Sequence, residues 1–234
     1  MAESSTKPGV EFLSKGDNWF DFFFYEQVIH PKTSGNYREL ENLFAATIPQ
    51  GAKVLEVGCG GGRVSCNYAT RRPDVRVLAI DLSPHMIARC KKRQAEVGVK
   101  NIDFRVGSAM DLSSEAREGP YQAVLSVGSI KHWPDPAKGI AEMAKALEPG
   151  GWMYLTDANP HATPGQIRQF VELWRIPWGT TNFFAKKFKQ DVVDGSCAVD
   201  DIKNWFTQNG IVDIQVDHYS HHPFVGIRGF KKKA

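Results

Sequence analysis

Short runs of apolar residues alternate along this chain with longer segments in which apolar and polar residues recur at helical spacing. The apolar runs are bounded by glycine, proline or polar residues, which predicts buried strands. They cover residues 53–57, 75–80, 102–106, 123–127 and 152–156. Strands that alternate with helices indicate an α/β fold, in which helices cover both faces of a mostly parallel sheet.

Helix start and stop signals fall between these runs. Ser83 and Pro84 stand where an N-cap and a first helical residue are expected, and Gly98 marks the end of that helix. Helices are predicted at residues 36–47, 63–72, 83–98, 136–146, 164–174 and 199–209.

The last two apolar segments, 211–219 and 224–230, are separated by only a few residues, which predicts an antiparallel hairpin at the sheet edge. The predicted fold is therefore a doubly wound, Rossmann-like, mostly parallel sheet of seven strands with an antiparallel C-terminal hairpin.

Composition and charge narrow the class of protein. The chain has 234 residues, of which 42% are hydrophobic and 24% charged, as in a globular protein. Its net charge of +3 is small and its basic residues are dispersed, so we expect no nucleic-acid partner. No apolar run is long enough to span a bilayer, and the four cysteines show no CxxC pair. These features predict a cytoplasmic monomer or homodimer without a membrane partner.

The predicted elements divide the chain into two parts. Residues 1–50 precede the first strand, and we expect them to form a helical lid segment. Residues 51–234 would form the ligand-binding domain. Within it, residues 158–198 interrupt the alternation of strands and helices, which indicates an insertion on the substrate side.

The most informative segment runs from the first predicted strand to the end of the second. The first strand ends at the glycine-rich sequence 58–62, and the second ends at Asp81. Glycine lets the backbone turn tightly and approach a ligand closely, and an acid at this strand end can accept hydrogen bonds from both hydroxyls of a ribose. Arg63 stands where a dinucleotide fingerprint requires its third glycine. The pattern therefore favours an adenosine ligand without a pyrophosphate.

In these motifs the chain resembles the class I S-adenosylmethionine-dependent methyltransferases, over roughly residues 51–230. The resemblance rests on VLEVGCGGG (54–62), DLS (81–83), LEPGG (147–151) and NGI (209–211), in the order and spacing typical of that family. It implies S-adenosylmethionine as the cofactor and a small organic molecule as the methyl acceptor. It also implies a cofactor site formed by Glu56, Gly58, Cys59, Gly60, Asp81, Leu82, Met86, Ser108, Ala109, Met110 and Val127.

The acid Glu56 lies two residues before the first glycine of the loop. Because S-adenosylmethionine carries a positive amine and a positive sulfonium, a carboxylate at this place is electrostatically favourable. A buried carboxylate that holds the loop by hydrogen bonds is an alternative role. The two roles are compatible.

The adenine pocket follows from the same resemblance. Leu82 and Met86 would lie beside the adenine ring. Relatives often carry an acid after strand three that accepts a hydrogen bond from the adenine amino group. This chain has Ser108 at that place and Asp111 three residues further on, so backbone groups could read the base edge instead. Met110 is equally well interpreted as an ordinary core residue.

A candidate catalytic residue follows strand four. His132 could remove a proton from the acceptor, since the unperturbed pKa of histidine is near neutral. A structural role, in which His132 hydrogen-bonds the loop, is favoured slightly, because transfer from a sulfonium often needs only alignment.

Metal sites are not expected in this sequence. No acid stands at the tip of strand four, and Asp157 and Asn159 are too few oxygen ligands. The sequence 218–222 contains three histidines, which we interpret mainly as a solvent-facing turn.

Aromatic residues are concentrated in residues 19–25 and in the insertion. Most of them would pack in the core, but some could form an apolar lid that excludes water from the acceptor. Tyr25 is a second catalytic candidate, because it carries a polar group within the N-terminal cluster. The predicted substrate contacts are His161, Trp174 and Trp178.

The function favoured by the sequence is transfer of the methyl group of S-adenosylmethionine to an oxygen, nitrogen, sulfur or carbon nucleophile of a small molecule by in-line displacement. The alternative is a protein that binds the same ligand without catalysis, for regulation or assembly. A nucleotide-dependent oxidoreductase is the third hypothesis.

Overall fold

The computed structural model describes residues 34–177, 179–219 and 222–233. Within these residues, seven strands form a single mixed sheet. The strands are β1 (Lys53–Val57), β2 (Arg76–Asp81), β3 (Ile102–Val106), β4 (Tyr121–Val127), β5 (Leu147–Ala158), β6 (Ile211–His218) and β7 (Phe224–Lys231).

One helix precedes the first strand, and the others lie between strands. Each helix that was predicted agrees with the observed one to within two residues at either end. They are α1 (Ser34–Thr47), α2 (Arg63–Arg71), α3 (Pro84–Val97), α4 (Ser113–Glu118), α5 (Pro136–Ala146), α6 (Pro164–Glu172), α7 (Thr181–Phe188) and α8 (Val199–Gln208). Helices α4 and α7 were not predicted. A 3-10 turn at Ile130–His132 and a π-helical turn at Lys189–Val193 complete the described elements.

The strand order is β3-β2-β1-β4-β5-β7-β6. Strands β1 to β5 pair in parallel, whereas β7 pairs antiparallel with both β5 and β6. The chain moves from β1 to β2 and β3 and then returns to place β4 on the other side of β1. Doubly wound sheets bind ligands where the strand order reverses in this way, at the carboxyl ends of the strands. The predicted fold class is confirmed.

The inner strands β1, β2, β4 and β5 are buried on both faces of the sheet, because their successive residues are apolar. In β1, for example, Val54 belongs to the core cluster on one face and Leu55 to the cluster on the other. The first cluster receives side chains from α1, α2 and α3, and the second receives them from α5 and α8. This arrangement fixes the strand ends relative to the helices that follow them.

Helix α1 is part of the first core layer. Phe44 is 1% exposed, and its ring makes edge-to-face contacts with Tyr68, Trp152 and Tyr154 at centroid distances of 5.4–5.6 Å. Helix α1, the described part of the predicted N-terminal segment, therefore packs against one face of the sheet.

The predicted insertion forms a small aromatic cluster of its own. Phe170 and Trp174 of the α6 region pack with Phe188 at the end of α7 and with Phe224 of β7. The cluster includes Ala158 and so covers the C-terminal end of β5, at the carboxyl edge of the sheet. Among the helices of the described residues, none is long and apolar enough to cross a membrane.

Candidate functional site

The glycine-rich loop after β1 is held in place by neighbouring strands. The backbone N–H groups of Gly58 and Cys59 both donate to the carbonyl oxygen of Ile80, at 2.8 and 2.9 Å. A Cβ added to Gly58, whose φ is +78°, would lie 2.2 Å from Oγ of Ser129. Only glycine fits at position 58, because the loop after β4 packs directly against it. The glycine loop and the β4 loop are therefore neighbours at the reversal of strand order.

A second contact joins this loop to the acid at the end of β2. Gly60 N–H donates to Oδ2 of Asp81 at 2.9 Å, and Ser83 N–H donates to Oδ1 at 2.9 Å. Apart from Gly60 itself and its two chain neighbours, no atom of the described residues lies within 4 Å of a Cβ built on Gly60. The outer side of Gly60 thus faces open space beside the Asp81 carboxylate. Each carboxylate oxygen has more than one acceptor site, so Asp81 can also accept hydrogen bonds from a ligand.

An exposed apolar surface lies next to Asp81. The side chain of Leu82 is 72% exposed, and Val106 at the end of β3 is 52% exposed. Val106 pairs in register with Asp81 across the sheet. An apolar surface beside a hydroxyl-accepting carboxylate suits a planar ring joined to a sugar. Val106 was not among the predicted site residues, although an apolar residue at the carboxyl end of a strand was a usable signal.

The loop after β3 is occupied mainly by contacts within the protein. Ser108 Oγ accepts a hydrogen bond from Met110 N–H at 3.1 Å, and Asp111 Oδ1 accepts one from Ser113 N–H at 3.0 Å. Ala109 and Met110 pack against the second core cluster. These contacts support a structural role for Met110. Cofactor contact by Ser108, Ala109 and Met110 stays a prediction.

Two further predicted cofactor residues lie close to this edge. Met86 is partly buried, and its N–H donates to Ser83 Oγ at 3.3 Å, which caps α3. Val127 ends β4 and packs against the first core cluster. Cofactor contact by either side chain stays a prediction.

Glu56 is a buried carboxyl group directly beneath the glycine loop. It is 4% exposed, and Ser65 Oγ donates a 2.5 Å hydrogen bond to its Oε2. Burial raises its pKa to about 7, and the nearby Asp81 carboxylate acts in the same direction. The group is therefore close to half protonated at neutral pH. A positive charge placed beside it would favour its ionised form.

The loop after β4 is anchored by the acid near the end of β5. Asp157 is 4% exposed. Its Oδ2 accepts a hydrogen bond from Lys131 N–H at 3.1 Å, and its Oδ1 accepts one from Ala158 N–H at 2.7 Å. On the other side of the loop, the hydroxyl groups of Ser126 and Ser129 lie 2.8 Å apart. These contacts fix the 3-10 turn at Ile130–His132, and Asp157 serves it as a structural acceptor.

His132 is the last residue of that turn. Its Nδ1 is buried and has no hydrogen-bond partner among the described residues. Burial, together with the charge of Lys131, lowers its pKa to about 3. The imidazole is therefore neutral at physiological pH. The predicted hydrogen bond from this ring to its own loop is not seen among the described residues, so His132 retains an acceptor or donor for another group.

The two predicted substrate residues that are described, His161 and Trp174, lie in different surroundings. His161 is exposed, and its N–H donates to Asn159 Oδ1 at 2.9 Å. Trp174 is 3% exposed and packs inside the aromatic cluster of the insertion, which favours a structural role over contact with an acceptor. Trp178, Tyr25 and the aromatic segment 19–25 lie outside the described residues.

The histidine-rich sequence 218–222 differs from its prediction at one position. His218 is exposed, but His222 is 7% exposed, with its ring centroid 4.4 Å from that of Tyr219 and 5.5 Å from that of Phe224. The interpretation of this segment as a solvent-facing turn is wrong for His222, because flanking aromatic rings bury it. The part of the chain described here contains no group of three or more His, Cys, Asp or Glu side chains that could hold a metal ion.

Comparisons with known proteins agree with this geometry. Residues 54–151 match the family described as a methyltransferase domain. A ubiquinone biosynthesis O-methyltransferase of Xanthomonas axonopodis pv. citri (strain 306) is 36% identical over 149 residues, which cover 64% of this chain and 59% of that protein. The chain thus spans less than two thirds of the length of this curated relative.

Solved structures show the same fold. The S-adenosylmethionine-dependent methyltransferase SibL aligns with a TM-score of 0.67 and 18% identity, over 98% of this chain and 64% of SibL. A methyltransferase of Thermotoga maritima, described as a possible histamine N-methyltransferase, aligns with a TM-score of 0.61 and 16% identity, over 95% of this chain and 99% of its own.

Residues 54–151 therefore match a methyltransferase domain, and the described residues have the fold of solved S-adenosylmethionine-dependent methyltransferases, in agreement with the resemblance seen in the motifs. S-adenosylmethionine is the cofactor that this class implies. The residues present fit it, because an open glycine face, an accepting carboxylate and an exposed apolar side chain meet at Gly60, Asp81 and Leu82.

Proposed function

We propose that this protein is an enzyme that transfers the methyl group of S-adenosylmethionine to a small organic acceptor, with oxygen as the preferred acceptor atom. The observation that carries the proposal is the junction of Gly60 with Asp81, which leaves an open, hydrogen-bonding face at the reversal of strand order. The O-methyltransferase name of the Xanthomonas relative supports oxygen as the acceptor atom.

Different residues would bind different parts of the cofactor. Asp81 would accept hydrogen bonds from the ribose hydroxyls, and Leu82 would lie against the adenine ring. Glu56 would face the positively charged methionine end, where the ionised form of its buried carboxyl group is stabilised. When bound, S-adenosylmethionine supplies an electrophilic methyl group on a positively charged sulfur.

The acceptor would lie over the carboxyl ends of β4 and β5. The 3-10 turn at Ile130–His132 borders the glycine loop on one side and the end of β5 on the other. His132 offers a neutral imidazole there, which can orient an acceptor by a hydrogen bond. With a pKa of about 3 it is a weak base, so alignment is its main contribution. The aromatic insertion would reduce access of water to this edge.

Two measurements test the proposal. Calorimetric titration with S-adenosylhomocysteine should show stoichiometric binding, and NAD should show none at the same concentrations. Incubation with S-adenosylmethionine labelled in its methyl group and a panel of small phenols, acids and amines should then give a labelled product. Binding of NAD in place of S-adenosylhomocysteine would support an oxidoreductase and overturn the proposal.

A non-catalytic regulatory or assembly role is the second candidate function. It predicts tight binding of S-adenosylmethionine with no labelled product from any acceptor, including a cell extract that supplies unknown ones.

We further propose a cytoplasmic location, and a monomeric or homodimeric state that sedimentation can distinguish.

A further inference from the structure

Lys131 is a basic side chain that the proposed cofactor and catalytic roles leave unused. It is the middle residue of the 3-10 turn after β4. Its backbone is fixed by the 3.1 Å hydrogen bond from its N–H to Oδ2 of Asp157. The position of this residue is therefore set by a buried acid of the neighbouring strand, and its side chain is partly buried.

The Lys131 ammonium group is not neutralised by contact. Its Nζ makes no hydrogen bond and no ion pair within the described part of the chain. Two carboxylates, those of Asp157 and Asp191, act on it electrostatically. Asp157 is already engaged by two backbone N–H groups, and Asp191 pairs with Lys187 at 2.7 Å. Burial lowers the pKa of Lys131, as expected for a cation that is partly removed from water.

The turn that carries Lys131 lies at the proposed acceptor position. β4 is flanked by β1 and by β5, so the loop after it stands between the glycine loop and Asp157. Ser129, two residues before Lys131, is packed against Gly58. Asp191 belongs to the π-helical turn of the insertion and acts electrostatically on Lys131, so this turn lies near the Lys131 side chain.

We propose that Lys131 selects the acceptor, by binding an anionic oxygen of the molecule to be methylated, such as a phenolate, an enolate or a carboxylate. This inference rests on the proposed methyl transfer. It narrows the acceptor class to molecules with an acidic oxygen and disfavours cationic amines.

The chemistry of such an acceptor matches a buried ammonium group. A partly buried cation gains a charge-assisted hydrogen bond when an oxyanion enters, and the ionised oxygen is the better nucleophile. The charged groups that act on Lys131 are Asp157 of β5 and Asp191 of the insertion, with His132 adjacent on its own turn. Lys131 would therefore be a positioning residue, with no proton transfer assigned to it.

The test uses three probes with the same ring: benzoate, its neutral analogue benzamide and the cation benzamidine. Each is titrated by calorimetry into the protein saturated with S-adenosylhomocysteine. Benzoate should bind at least about ten-fold more tightly than benzamide, and benzamidine most weakly, as expected for one charge-assisted hydrogen bond. Lys131→Met should abolish the preference, whereas Lys131→Arg should retain it. Lys138→Met, which removes an exposed lysine of α5, is the matched control and should leave it unchanged.

The outcomes separate this inference from the proposed function. If S-adenosylhomocysteine itself fails to bind, the proposed function fails. If it binds equally to parent and Lys131→Met but the parent shows no preference for benzoate, only the role of Lys131 is overturned. A merely structural role predicts a lower melting temperature for Lys131→Met with the benzoate preference intact. If Lys131→Met does not fold, Lys131→Gln is compared with the parent in the same titrations.

Discussion

The backbone N–H of Gly60 donates a 2.9 Å hydrogen bond to Oδ2 of Asp81, which ties the glycine loop after β1 to the end of β2. The two residues are 21 positions apart in the chain, and both lie at the carboxyl edge of the sheet, Gly60 in the loop after β1 and Asp81 as the last residue of β2. Asp81 therefore has two roles. It shapes the loop, and it presents its remaining acceptor sites to a ligand.

The first prediction tests the ligand-binding role of Asp81. Asp81→Asn keeps an oxygen that can accept a backbone hydrogen bond but loses the charge and one acceptor. We expect S-adenosylhomocysteine to bind more weakly by about 1–3 kcal/mol, because hydrogen bonds to the ribose are no longer charge-assisted. Calorimetry measures the affinity, and a melting curve confirms that the variant folds.

A capping aspartate elsewhere provides the control for this change. Asp135 accepts a 3.0 Å hydrogen bond from Lys138 N–H at the start of α5. Asp135→Asn should cost some stability and leave affinity unchanged. Equal affinity of the parent and Asp81→Asn would show that the ligand does not contact Asp81.

The second prediction concerns the open face of Gly60. Gly60 has φ of +52° and Gly51 has φ of +73°. Apart from each glycine and its chain neighbours, no atom of the described residues lies within 4 Å of a Cβ added to either one. Substitution by alanine should cost each variant a similar backbone strain of about 1 kcal/mol. Only Gly60→Ala should also weaken S-adenosylhomocysteine binding, because its added Cβ would meet the ligand. We expect a loss of ten-fold or more in affinity, which corresponds to about 1.4 kcal/mol of binding free energy. An equal loss of affinity in Gly51→Ala would contradict the assignment of this face.

The fold could be predicted from the sequence because strands, helix ends and turns are marked by residues that are close together in the chain. Some positions at the strand ends accept only one type of residue. Position 58, for example, requires glycine, because Ser129 packs too close to it for a Cβ. The reversal of strand order then follows from the number and length of the connections. Most predicted element boundaries lie within one or two residues of those observed.

The acceptor side could not be predicted in the same way, because it depends on contacts between distant segments. Asp157 and Lys131 are 26 residues apart, and only the pairing of β4 with β5 brings them together. His222 is buried by rings on both sides of the hairpin, which the sequence pattern of the turn does not reveal. Trp174 is buried among the aromatic rings of the insertion, where an aromatic residue can be a core residue or a substrate contact, so its contact with substrate stays a prediction.

The third prediction concerns metal dependence. Methyl transfer should survive exhaustive treatment with EDTA, because the turn after β4 presents the Lys131 ammonium group, which repels a divalent cation. The assay compares initial rates before and after chelation. Loss of activity that magnesium or zinc restores would show that the assignment of the β4 loop is incorrect.

The fourth prediction concerns His132. Because the pKa of His132 is lowered to about 3, its imidazole stays neutral from pH 5 to pH 8. The ratio of kcat between the parent and His132→Gln should therefore be constant over that range. If His132 were a general base with an ordinary pKa, kcat of the parent would rise through pH 6–7 while that of the variant would not. The Cε1–H resonance of His132 followed by NMR gives the pKa directly.

The fifth prediction uses the buried carboxyl group of Glu56. Its pKa is raised from 4.5 to about 7 in the folded protein, mainly by burial. At a pH between about 4.5 and about 7, Glu56 is more fully protonated in the folded state than in the unfolded state. The contribution of Glu56 therefore lowers the stability of the protein as the pH rises through this range. Above pH 7 the full penalty of a buried charge is present.

Glu56→Gln removes this titration while keeping a side chain that can accept the hydrogen bond from Ser65. From pH 4 to pH 8 the parent should lose roughly 3 kcal/mol more unfolding free energy than the variant, measured by urea denaturation. The α-ammonium group of S-adenosylhomocysteine beside Glu56 should also displace the Glu56 proton, so binding should release up to about half a proton at pH 7 from the parent and none from Glu56→Gln. Calorimetry in buffers of different ionisation enthalpy measures that release. Identical proton release by the two proteins would mean that the positively charged end of the ligand does not lie near Glu56.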